Sequence, residues 1–79
     1  MIKNKGFEIL LASPPDYQNL VAEIYYDGKF VVLVSQERGG NLFDLEIPGS
    51  NLVDGELARK VDLVGFEKVL EEAKQRLKK

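Results

Sequence analysis

The stretch Gln18-Asn19-Leu20-Val21-Ala22-Glu23-Ile24-Tyr25-Tyr26-Asp27-Gly28-Lys29-Phe30-Val31-Val32-Leu33-Val34-Ser35-Gln36 decides the fold. β-Branched and aromatic residues run up to Asp27-Gly28 and away from it, and that pair tolerates the positive φ angles of a type I′ turn. The stretch therefore predicts two antiparallel strands, 18–26 and 29–36, joined by a two-residue turn. Such a turn also sets register, placing Tyr26 opposite Lys29, Tyr25 opposite Phe30, Ile24 opposite Val31 and Glu23 opposite Val32.

Working outward, Gly6 to Ala12 reads as a strand ended by Pro14 and Pro15, which remove backbone donors. On the other side, Arg38-Gly39-Gly40-Asn41 turns the chain into a strand over 42–47, closed by Pro48-Gly49. There Val34 faces Leu45, Ser35 faces Asp44 and Leu33 faces Glu46. A polar loop follows to Glu56, and a short edge strand is expected over 57–61. Asp62 then caps a helix over 63–78, whose Leu63, Phe66, Val69, Leu70, Ala73 and Leu77 recur at three- and four-residue steps. The class expected is α+β: a four- to five-stranded antiparallel meander with one C-terminal helix packed on one face, a single domain over 1–79.

The expected register divides the sheet into two faces. Val21, Glu23, Tyr25, Phe30, Val32, Val34, Phe43, Leu45 and Ile47 form a nearly apolar face, to which the helix is assigned. The opposite face carries Leu20, Ala22, Ile24, Tyr26, Lys29, Val31, Leu33, Ser35, Leu42, Asp44 and Glu46, joined by Glu8, Leu10 and Ala12. A half-apolar stripe flanked by carboxylates is richer than a solvated sheet face needs to be, so it is the candidate interface. Glu8, Tyr26, Leu33, Asp44 and Glu46 are its expected partner-binding residues.

Composition narrows the chemistry. The chain is 44% hydrophobic and 30% charged, as globular proteins are. It lacks cysteine, histidine and threonine, which removes disulfides, thiolate metal sites, the commonest general base and most nucleophile arrangements. Carboxylate pairs remain, Asp44 with Glu46 and Asp54 with Glu56, and surface solvation accounts for them better than acid–base or magnesium chemistry does. The expectation is a non-enzymatic protein with no cofactor, no bound metal, no membrane segment and a cytoplasmic location. Charge is unevenly spread: between Gly6 and Glu56 nine acids face two bases, whereas from Leu57 to Lys79 seven bases face four acids. An acidic sheet suits a basic protein partner and speaks against direct nucleic-acid binding.

The stretch from Asp16 to Glu37, with Arg59-Lys60-Val61-Asp62-Leu63 and the C-terminal helix, resembles small bacterial immunity proteins of contact-dependent growth-inhibition systems. The resemblance runs from about Phe7 onward. It implies an antitoxin that binds the C-terminal toxin domain of a cognate secreted effector, usually a nuclease, and blocks its active site or substrate approach in a stoichiometric complex. It assigns no role to a numbered residue. The alternative is a homodimeric adaptor or structural module that self-associates through the second sheet face.

Overall fold

The computed structural model describes residues 2–4, 6–39, 41–48 and 57–78. Its elements are β1 (Ile2–Asn4), β2 (Phe7–Ala12), β3 (Val21–Tyr26), β4 (Lys29–Ser35), β5 (Asp44–Glu46) and α1 (Leu63–Leu77). The strands pair antiparallel in chain order, so the sheet is a meander with one helix after it. The four predicted strands from β2 to β5 are present. The short β1 lies outside the expectation because three residues carry no period to read.

The hairpin at Asp27-Gly28 forms as its chemistry demands. Asp27 has φ 51° and Gly28 φ 84°, both in the left-handed region that a type I′ turn requires. Tyr26 stands opposite Lys29 and Tyr25 opposite Phe30. Beyond that point the expected register fails. Ile24 pairs with Val32, Glu23 with Leu33 and Ala22 with Val34, and the ladder shifts between Ile24 and Tyr25. Val31 is the extra residue of a β-bulge. It packs against the core together with Val32, so two successive β4 residues serve the helix side.

That single residue exchanges the faces of β3. Ala22 and Ile24 are fully buried in the core, with Phe7, Ile9, Val32, Val34, Val69, Ala73 and Leu77, while Leu11, Tyr26, Phe43, Phe66 and Leu70 pack around them. Glu23 and Tyr25 turn to the opposite face, in contrast to the expectation that placed them under the helix. Register with β5 holds as predicted: Leu33 opposite Glu46, Val34 opposite Leu45, Ser35 opposite Asp44. The edge strand expected over 57–61 does not form. Leu57 makes one isolated parallel bridge to Phe30, and the Ala58 amide donates to the Phe30 carbonyl at 2.9 Å. The chain docks there on the part of β4 that β5 leaves unpaired, then departs toward the helix cap.

Asp62 caps α1 as its sequence position predicts, its Oδ2 accepting the Gly65 amide at 2.7 Å. Gly65, Val69, Ala73 and Leu77 are the buried residues of the helix, at four-residue steps. Each large side chain removed from water there contributes about 1.5–3 kcal/mol before ordering entropy is subtracted. Gly65 is required by a close approach: a Cβ at this position would lie 3.0 Å from Phe7 Cε2 and 2.9 Å from Asp62 Oδ2. Leu63, expected in the apolar stripe, is instead 67% exposed. It precedes the turn at which α1 meets the sheet. The helix packs on β1, β2 and β3, leaving the same face of β4 and β5 less covered.

Candidate functional site

With α1 on one side, the other face of the sheet is built from two cross-strand rows. Glu8, Tyr25 and Phe30 stand side by side in the first, and Leu10, Glu23, Leu33 and Glu46 in the second. Tyr25 and Phe30 meet edge to face, with centroids 5.6 Å apart and planes at 70°. The Tyr25 hydroxyl donates to Glu23 Oε1 at 3.0 Å. Two concavities flank the ring pair. One of about 290 Å³ is lined by Glu8, Leu10, Tyr25 and Gly28, and one of about 170 Å³ by Phe30, Leu33, Glu46, Ile47 and Pro48. Ile47 is 73% exposed and Leu10 48%, so the apolar stripe extends across the sheet from β2 to the end of β5.

A loop closes the far end of this face. Glu37 accepts the amides of Gln18 and Asn19, each at 2.9 Å, and the Tyr17 hydroxyl donates to Glu46 Oε1 at 2.7 Å. The segment between β2 and β3 thereby reaches across to β5. Val21 and Ser35 lie at the same end of the face and are buried, at 0% and 2% exposure. Strand alternation alone gives no reason for that burial on a face without a helix.

The electrostatics separate the carboxylates. Asp44 is neutralised by Arg38, whose Nη2 lies 2.9 Å from Oδ1 and whose Nε donates to Oδ2 at 3.0 Å. Glu23 and Glu46, among the described residues, accept only from tyrosine hydroxyls. Burial, followed by the bond to Glu23, pushes the Tyr25 phenol above its ordinary range. The bond to Glu46, ahead of burial and the neighbouring carboxylates, does the same to Tyr17. Both phenols therefore stay neutral donors at physiological pH.

Of the five expected site residues, Glu8, Leu33, Asp44 and Glu46 share this face. Tyr26 does not. The bulge turns it to the helix side, where its ring lies 4.5 Å from that of Phe7. Sequence reasoning missed Glu23, Tyr25 and Phe30, and the signal was present: a glutamate within an otherwise apolar core face marks a register error.

A second groove, of about 350 Å³, runs between α1 and β5, lined by Val34, Phe43, Asp44, Leu45, Glu67, Leu70, Glu71 and Lys74. Its charges are largely compensated, because Lys74 pairs with Glu71 at 3.2 Å and Arg38 with Asp44. Bonds from Gln75 and then Lys74 hold the Glu71 carboxyl below its usual range. Asp54 and Glu56, the other expected carboxylate pair, lie outside the described residues. Among the described residues no group of three or more candidate ligands is arranged to hold a metal ion, and no helix is long and apolar enough to cross a membrane. Comparison with protein-family models, with curated proteins and with solved structures finds no match in any of the three.

Proposed function

We propose that this chain is a binding protein of the immunity type, which captures a basic toxin domain on the free face of its sheet and neutralises it by occupying the toxin's surface. The observation that carries this is the apolar stripe from Leu10 to Ile47, set with two carboxylates, Glu23 and Glu46, that among the described residues have tyrosine hydroxyls and no cation as partners. Apolar area supplies affinity, while unpaired negative charge at its centre and rim speeds encounter with a basic surface and rejects acidic ones. The resemblance of Asp16 to Glu37 to growth-inhibition immunity proteins supports the same conclusion and names the partner class. The chain works by stoichiometric binding, without catalysis.

The test is to read the genes beside that of this chain for a large effector, and to co-express the chain with the C-terminal toxin domain of the effector found there. Restored growth together with a one-to-one complex on gel filtration is the expected result. A neighbouring gene set without such an effector, or a toxin domain that neither binds the chain nor is silenced by it, contradicts the proposal.

A further inference from the structure

Glu23 holds an unusual place for a carboxylate. It stands in the middle strand of the sheet, half-buried, with Leu10 and Leu33 as its cross-strand neighbours. No cation pairs with it among the described residues, and its one bond is the 3.0 Å donation from Tyr25. A carboxylate in an apolar frame is costly to desolvate unless a partner supplies compensating charge. Beside it, the near-perpendicular Tyr25 and Phe30 rings each keep one face that the other does not cover.

Resting on the basic-partner reading above, we propose that Glu23, Tyr25 and Phe30 form a receptor for one arginine side chain of the toxin domain. The guanidinium stacks on the tyrosine ring, which lines the 290 Å³ concavity with Glu8, Leu10 and Gly28, and reaches past its rim to donate to the Glu23 carboxylate that accepts from the Tyr25 hydroxyl. Arginine fits better than lysine for two physical reasons. Its planar cation stacks on an aromatic face while its fork reaches a carboxylate, and it is more weakly hydrated, so burying it beside Leu10 and Leu33 costs less. The pairing of β3 with β2 sets Glu23 and Tyr25 on the free face, and the bulge at Val31 brings Leu33 rather than Val32 opposite Glu23.

The test uses the isotope-labelled full chain and small blocked amino acids, so that it does not depend on any toxin. N-acetyl-arginine methylamide is titrated against the amide resonances, with the lysine and citrulline equivalents as controls. The expected result is saturable shifts confined to residues 10, 23, 25, 30 and 33 for arginine, at least about threefold weaker binding for lysine, and none for citrulline. Glu23→Gln is expected to weaken arginine binding by about tenfold or more. Should that variant lose its dispersed spectrum, Phe30→Leu serves instead, and it reduces the preference for arginine over lysine. Equal arginine and lysine shifts scattered over the acidic surface, or undiminished binding by a folded Glu23→Gln, overturn the receptor. Toxin binding that persists alongside either result overturns the arginine receptor alone and leaves the antitoxin proposal standing.

Discussion

Tyr17, in the segment between β2 and β3, donates its hydroxyl to Glu46 on β5, the far edge of the sheet, at 2.7 Å. The bond spans the strands between them and fixes the loop over the end of the free face. Tyr17→Phe removes one exposed hydrogen bond, so the expected loss of global stability is below about 1 kcal/mol. The local effect is larger. Hydrogen exchange at Val21 and Ser35 is expected to speed up while exchange at Ile24 stays unchanged, which distinguishes loosening of the loop from loosening of the core.

The two raised phenols give the fold an alkaline limb. Tyr17 and Tyr25 both ionise above the ordinary value of 10.0, so the folded chain keeps protons that the unfolded chain releases. Their contribution is fully present below the unfolded pKa of about 10 and is lost as pH rises through the folded values. Phenolate absorbance checks the causes separately. Glu46→Ala is expected to return Tyr17 most of the way, since the bond to Glu46 is its main perturbation. Glu23→Ala returns Tyr25 only in part, because burial remains.

Gly65 tests packing against propensity. In an open helix, Gly→Ala gains about 1 kcal/mol. Here the new methyl would meet the Phe7 ring at 3.0 Å and the capping carboxylate of Asp62 at 2.9 Å. Gly65→Ala is therefore expected to destabilise the fold, by about 1–3 kcal/mol from overpacking, as read by urea unfolding. Increased stability would mean that the approach of α1 to β2 is looser than the contact geometry requires.

Val31 is packed against the core yet has no partner across the ladder. Its deletion closes the bulge while leaving Tyr25 opposite Phe30 and Ile24 opposite Val32, so both faces keep their residues. A deletion within a central strand ordinarily flips one side of it. Here the chain is expected to fold with a stability loss of about 1–3 kcal/mol, from lost valine burial. Thermal unfolding of the deletion variant decides the point, and complete loss of the cooperative transition would refute the bulge.

The four strands β2 to β5 and the helix were legible in the sequence because their signals are local, whereas the short β1 carries no such signal and the strand expected over 57–61 reduces to one bridge from Leu57 to Phe30. Asp27-Gly28 dictates its own turn, Asp62 its own cap, and Val34, Ser35 and Leu33 meet Leu45, Asp44 and Glu46 as counted. The faces of β3 were not legible, because the bulge adds one residue without adding a glycine, a proline or any other local mark. Val31-Val32 reads equally well as two alternating positions or as two residues on one side. The choice is made by the helix and by β2, where Phe7 and Ile9 need Tyr26 and Ile24 beside them. Hence Glu8, Leu33, Asp44 and Glu46 were placed on the free face and Tyr26 was misplaced. The Glu23–Tyr25 pair at the centre of that face came only with the tertiary structure.

The most direct test of the free face as the binding surface is the affinity of the toxin domain for two folded single variants. Leu33→Arg puts a cation in the middle of the stripe, and Glu67→Arg changes charge at the groove between α1 and β5. Binding by calorimetry is expected to fall by about a hundredfold or more for Leu33→Arg, as at a buried interface centre, and by less than about threefold for Glu67→Arg. The reverse pattern, with Leu33→Arg binding like the unaltered chain and Glu67→Arg losing the toxin, would contradict the account and move the interface to the helix side.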